Sequence, residues 1–185
     1  MGERMINVPN VITLLRLLAA PVVVWLIFDA QCKTACGLFL AAALSDGLDG
    51  FLARRLAQTT ALGATLDALT DKVLGLGTLL ALTRMDAIPL WVTLAILLRD
   101  AVIVLGALSY RSLAGHLDIH PTWLGKMHTF VEFVLLTLVL ADLAQLIQLG
   151  AGRWPLFALV AAIAAVSGIQ YVWIWGGKVR HDSNY

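Results

Sequence analysis

Charge is scarce in this sequence: only 14% of its 185 residues are Asp, Glu, Lys or Arg, against about a quarter in an ordinary soluble domain. The 13 basic and 12 acidic side chains leave a net charge of +1. Lys and Arg form no stripe, which excludes the electrostatic footprint of a nucleic-acid partner. Cysteine is scarce too. Cys32 and Cys36 are too few for a disulfide framework, and no further nitrogen or sulfur ligands lie nearby to complete a four-coordinate structural zinc site; they read as incidental residues near a helix end. Tandem repeats are absent, and one domain over residues 1–185 is the simplest organisation. The apolar run from Val11 to Phe28 follows basic residues, as in a leader peptide. It is long and lacks a small-x-small cleavage site, so a retained membrane segment is expected.

What fills the space is hydrocarbon. Apolar residues make up 60% of the chain and the mean hydropathy is +0.86, the composition of a protein dissolved in a bilayer. Stretches of about 20 apolar residues, enough to span one, recur six times, at about Asn10–Phe28, Ala35–Leu56, Leu62–Thr83, Pro89–Tyr110, Trp123–Leu146 and Trp154–Trp175. The expected fold is therefore all-α, an integral membrane protein with six transmembrane helices. Pro21 falls inside the first stretch and should kink it, so a short N-terminal amphipathic segment is expected to lie on the surface before the chain enters the membrane. With six spans, eight basic residues (Arg4, Arg16, Arg54, Arg55, Arg111, Lys126, Lys178 and Arg180) fall on the side of the termini and three (Lys33, Arg84 and Arg153) on the other. The excess of positive charge places both termini in the cytoplasm.

Against that background the segment from Ser45 to Lys72 is anomalous. It carries Asp46 and Asp49 at i, i+3 and Asp67 and Asp71 at i, i+4, so each pair shares a helix face. Carboxylates brought together repel and would take up protons unless a cation sits between them. Hard divalent ions suit an all-oxygen ligand set. Gly50 lies one turn beyond Asp46 and Gly63 one turn before Asp67, leaving room on the acidic faces for a bulky ligand to approach the backbone, and Arg54 could hold phosphate. Metal, cleft and arginine together suit a diphosphate substrate. Pairing of the acids with Lys72, Arg54 and Arg55 is the packing alternative, but it would not call for glycines in step with the acids.

Spelled out, the segment is Asp46-x-x-Asp49-Gly50-x-x-Ala53-Arg54, eight residues, then Gly63-x-x-x-Asp67-x-x-x-Asp71. It resembles at every position the diagnostic motif of the CDP-alcohol phosphatidyltransferases. The opening "NVPNVITLLRLLAAP" is similar to the start of bacterial phosphatidylglycerophosphate and cardiolipin synthases. The resemblance implies two divalent ions, Mg²⁺ or Mn²⁺, held by Asp46, Asp49, Asp67 and Asp71, with Asp71 also the general base. Gly50, Ala53, Arg54 and Gly63 would receive the CDP-lipid. The implied reaction moves a phosphatidyl group from CDP-diacylglycerol to an alcohol and releases CMP, at the cytoplasmic face of a bacterial inner membrane and commonly in a homodimer.

The remaining intramembrane charges bear on the acceptor. Arg99 and Asp100 interrupt the fourth span, Arg111 follows, and the fifth span opens with Lys126, His128 and Glu132. Arg99, Arg111 and Lys126 are read as an anion pocket for the acceptor, the alternative being an Arg99–Asp100 or Arg99–Glu132 pair that supports packing. His128 reads as a packed helix residue. "RDAVIVLGALSYR" with "PTWLGKMHT" is more similar to the cardiolipin synthases, while the Glu132 stretch departs from both groups. Phosphatidylglycerol or glycerol 3-phosphate is the expected acceptor, with inositol phosphate or serine as alternatives. Buried acids also mark ion and proton transporters, and a scaffold for partner helices would need none of the four aspartates. Gly50→Leu separates the first two: CMP-releasing activity is lost if the glycine makes room for a nucleotide, whereas proteoliposome ion flux is barely changed if the acids line an ion path.

Overall fold

The computed structural model describes the backbone of residues 8–56, 61–114 and 122–182, and side chains within 13–45, 69–107 and 122–174. The described residues form six α-helices: α1 (Val8–Phe28), α2 (Cys32–Leu56), α3 (Ala61–Arg84), α4 (Leu90–Ala114), α5 (Trp123–Leu143) and α6 (Arg153–Asp182). A single 3-10 turn at Gly150–Gly152 precedes α6. The helices lie close to the six apolar stretches of the sequence. By length and composition, three segments among the described residues could cross a membrane, namely Leu90–Ala107, Trp123–Leu143 and Gly150–Ile174; Thr13–Phe28 and Cys32–Ser45 are shorter apolar helices.

One expectation is corrected. Val8–Phe28 is a single helix with Pro21 inside it, so the described residues contain no separate surface segment followed by a turn. Proline removes one i→i−4 bond, that to the Leu17 carbonyl, and a helix packed against neighbours can absorb that loss. Cys32 and Cys36 are both free thiols, at the start of α2.

The chain divides into two compact units, residues 1–87 with 136–149, and residues 88–135 with 150–185. In the first, α1 packs against both α2 and α3. Its inward stripe, Thr13, Arg16, Ala20, Val23 and Ile27, recurs every three to four residues and is buried throughout, as a helical period requires. Ala35, Phe39 and Ala42 of α2, and Leu74, Leu79 and Leu82 of α3, are buried as well. Lipid chains are as apolar as leucine, so such helices gain little from burial itself and depend on close fit. Gly77 supplies one such fit, since a Cβ there would lie 3.2 Å from Val24 Cγ2. In the second unit α4 packs against α6, burying Val92, Ile96 and Arg99 on one side and Phe157, Val160, Ala164 and Ser167 on the other.

Three helix ends of the first unit close by the same device. After α1, Ala30 turns left-handed (φ 57°); its N–H donates to Ile27 O at 3.2 Å and the Gln31 N–H to Leu26 O at 2.9 Å. Asp86 (φ 56°) and Gln145 (φ 57°) repeat the pattern after α3 and α5. This is the Schellman arrangement, in which glycine is the usual left-handed residue. An L side chain in that conformation costs roughly 1–2 kcal/mol. Ala30→Gly, although it removes a methyl group, should therefore raise stability by about 1 kcal/mol, measured as resistance to unfolding in detergent. A loss of similar size would mean that the Ala30 methyl packs more favourably than its backbone is strained.

Candidate active site

The motif lies on continuous helix. Asp46, Asp49, Gly50, Ala53 and Arg54 fall within α2, and Gly63, Asp67 and Asp71 within α3, so the i, i+3 and i, i+4 carboxylate pairs do share helix faces. The side chains of Asp46, Asp49, Ala53, Arg54 and Asp67, and the surroundings of Gly50 and Gly63, lie outside the described residues. Asp71 is described, and its partner is a residue the motif does not contain. Arg16 of α1 donates from Nη1 to Asp71 Oδ1 at 2.8 Å. The arginine side chain is 2% exposed and the aspartate 31%. Removing one member of a buried pair typically destabilises by about 3–5 kcal/mol, because the other charge is left uncompensated; the open aspartate should bring the figure here below that range. From sequence, Arg16 counted only among the cytoplasmic-side bases. The signal that could have found it was a lone charge within the apolar run "VITLLRLLAAP".

A second polar cluster occupies the other unit. Arg99 is 7% exposed, and its Nη1 donates to Asp100 Oδ1 at 2.8 Å. Its Nε reaches Ser167 Oγ at 3.4 Å and its Nη2 the Gly125 carbonyl at 3.5 Å, both long for hydrogen bonds. The guanidinium carbon lies 5.9 Å from the centroid of the Tyr171 ring, within cation–π range. Of the two pairings weighed from sequence, Arg99–Asp100 is present, while Glu132 lies 3.7 Å from Nδ1 of the fully buried His128. His128 is indeed a packed helix residue. Lys126 is exposed. Arg111 falls within α4, its side chain outside the described residues.

The frame around Arg99 is built by Gly125, from the quoted opening of the fifth span, together with Thr122 and Tyr171, whose part in it the sequence did not reveal. Thr122 caps α5, its Oγ1 accepting from the Gly125 N–H at 3.1 Å, an N-cap to N3 bond. The Thr122 N–H donates to the Tyr171 hydroxyl at 3.3 Å. A side chain at Gly125 would be crowded, because a Cβ would meet Tyr171 Oη at 3.0 Å and Arg99 Nη2 at 3.2 Å, and both side chains would have to give way. The glycine before Lys126 thus lets α5 approach the arginine and the tyrosine together.

The donor set of the motif fits divalent ions. Four carboxylates supply only hard oxygen ligands, α2 and α3 hold them at facial spacing, and Asp71 keeps about a third of its surface open. Asp46, Asp49, Asp67 and Asp71 would be the residues to hold them.

Comparison with known proteins agrees with this reading of the motif. The sequence profile of the CDP-alcohol phosphatidyltransferase family matches residues 6–176. The chain is 36% identical over 152 residues to a cardiolipin synthase (CMP-forming) of Rattus norvegicus, covering 73% of this chain and 50% of that protein. It is 32% identical over 176 residues to a probable phosphatidylglycerophosphate synthase of Mycobacterium tuberculosis, covering 91% and 81%. A cardiolipin synthase (CMP-forming) of Streptomyces coelicolor is 33% identical over 183 residues, covering 94% and 77%. The matched region is thus half of the rat protein, and 61% of a human cardiolipin synthase, but most of the bacterial ones. The chain belongs to the CDP-alcohol phosphatidyltransferase family.

Gly125→Ala tests the Arg99 frame. Overpacking of this kind costs about 1–3 kcal/mol, read as a lower unfolding temperature in detergent. Tyr171→Phe removes the atom in closest contact, so the same Gly125 substitution should be milder in that background. Additive effects would show that the two residues do not compete for space.

Proposed function

We propose that the chain is a membrane-embedded, divalent-metal-dependent phosphatidyltransferase. It moves the phosphatidyl group of CDP-diacylglycerol to a glycerol-phosphate-type acceptor, phosphatidylglycerol or glycerol 3-phosphate. The observation that carries this reading is the eight-position motif, complete and set on two continuous helices, with Asp71 both held by Arg16 and partly open. All six helices cross the membrane, and the termini and the motif face the cytoplasm, in accord with the distribution of Lys and Arg.

Gly50, Ala53, Arg54 and Gly63 receive the cytidine diphosphate portion of the lipid. Divalent ions held by Asp46, Asp49, Asp67 and Asp71 supply charge neutralisation of the diphosphate and of the departing CMP. Asp71 takes the proton from the acceptor hydroxyl as that oxygen attacks the lipid-linked phosphorus. The new P–O bond makes a phosphodiester, and the bond to CMP breaks with its electron pair on CMP. Arg99, Arg111 and Lys126 bind the phosphate of the acceptor. Arg99 suits an anion because its guanidinium is fixed by Asp100, Ser167 and Tyr171 before any ligand arrives, which lowers the ordering cost of binding.

Purified protein supplied with CDP-diacylglycerol and acceptor should release CMP only with Mg²⁺ or Mn²⁺ present. Asp71→Asn should lower kcat by about 10²–10⁴-fold, the usual contribution of a general base, and Asp67→Asn should abolish the metal response. Arg99→Gln should raise KM for the anionic acceptor by about tenfold or more, the worth of a charged hydrogen bond, with KM for CDP-diacylglycerol little changed. Metal-independent turnover, or an active Asp71→Asn enzyme, would contradict the proposal.

A further inference from the structure

The ion pair between Arg16 and Asp71 is lopsided. The guanidinium is sealed inside the first unit at 2% exposure, while the carboxylate side chain is 31% exposed. One oxygen of Asp71, Oδ1, is therefore held from within the bundle while the side chain still presents open surface. The height of the arginine against it is fixed as well. Arg16 meets Asp71, and about two turns further along both helices Val24 meets Gly77, where even a Cβ would come within 3.2 Å. α1 and α3 thus run in the same direction, pinned at two levels. A pair needed only for packing can often be replaced by fitted apolar side chains without loss. Ionisable groups within apolar helices are, for that reason, usually functional. The acid that Arg16 holds is also the last position of the motif, and the arginine comes from α1, a helix outside the two that carry the motif.

We propose that Arg16 is a positioning residue for Asp71. By fixing Oδ1 it sets the orientation in which the carboxylate meets the divalent ion and the acceptor hydroxyl. The proposal rests on the reading of Asp71 as metal ligand and base. Lysine at position 16 would keep the charge but lose the planar, multiply donating guanidinium; methionine would lose both.

The test uses the full chain in detergent or nanodiscs, with Arg16→Lys, Arg16→Met, Asp71→Asn and the Arg16→Met/Asp71→Asn double variant. Three quantities are measured: binding of Mn²⁺ alone by electron paramagnetic resonance, the kinetics of CMP release, and the unfolding temperature. Arg16→Lys should melt close to the parent protein, yet weaken Mn²⁺ binding and lower kcat by about tenfold or more, as loss of a group orienting a metal ligand does. KM for CDP-diacylglycerol should stay near its parental value. Arg16→Met should be worse than the lysine variant, and in the Asp71→Asn background it should weaken Mn²⁺ binding no further. Parental kcat and Mn²⁺ affinity in Arg16→Lys would overturn the proposal, as would a raised KM with unchanged kcat, which would make Arg16 a substrate contact. If Asp71→Asn alone leaves both quantities at parental values, the role assigned to Asp71 has failed. If Asp71→Asn is inactive and the Arg16 variants are normal, only the role assigned to Arg16 has failed. Should Arg16→Met fail to fold, the lysine variant and Arg16→Gln decide the matter on the same readouts.

Discussion

A guanidinium enclosed by apolar helices has to find an anion, and both arginines buried among the described residues do. Arg16 reaches Asp71 and Arg99 reaches Asp100, each at 2.8 Å. An isolated charge near the centre of a membrane helix costs about 2.5–3.5 kcal/mol on insertion scales, so each pair offsets a penalty large enough to threaten a marginally stable fold. The two pairs fix different groups. One fixes the final aspartate of a carboxylate motif; the other fixes a cation within a frame of hydroxyls, a carbonyl and an aromatic ring. The remaining buried surface described is mostly hydrocarbon, and its contribution is fit.

Fit explains where glycine is needed. Gly77 lets α1 and α3 approach beside Val24, and Gly125 lets α5 approach Arg99 and Tyr171. Gly125 stands beside the Arg99–Asp100 pair, where backbone approach sets how far a fixed-length side chain must reach, whereas Gly77 lies further along α1 and α3 from the Arg16–Asp71 pair. The left-handed residues at the helix ends follow a different rule. Ala30, Asp86 and Gln145 accept strain because the turn must satisfy carbonyls that have lost their helical partners.

Much of this was legible in the sequence. Apolar runs of membrane length placed all six helices, with their ends shifted by a few residues, because hydrophobic continuity is a strong signal and fraying ends are a weak one. The carboxylate motif was legible because its spacing is local to two helices. Arg16 was not, since its partner lies 55 residues away and no local period links them. Ser167, Tyr171 and Thr122 escaped for the same reason: each is an ordinary helix or cap residue until α4, α5 and α6 place it against Arg99. Pro21 lies inside the continuous α1, because a helix packed against neighbours can absorb the loss of one backbone bond.

Membership of the CDP-alcohol phosphatidyltransferases accounts for the motif, and the two acceptors proposed for this chain, phosphatidylglycerol and glycerol 3-phosphate, share a glycerol-linked phosphate. The most direct measurement is stoichiometric: purified protein and CDP-diacylglycerol are incubated with phosphatidylglycerol, glycerol 3-phosphate, inositol phosphate or serine in turn, and CMP and the new lipid are both quantified. The account predicts one CMP per new phosphodiester with phosphatidylglycerol or glycerol 3-phosphate, and no turnover without an acceptor. CMP release with none of the four, or release uncoupled from a lipid product, would contradict it.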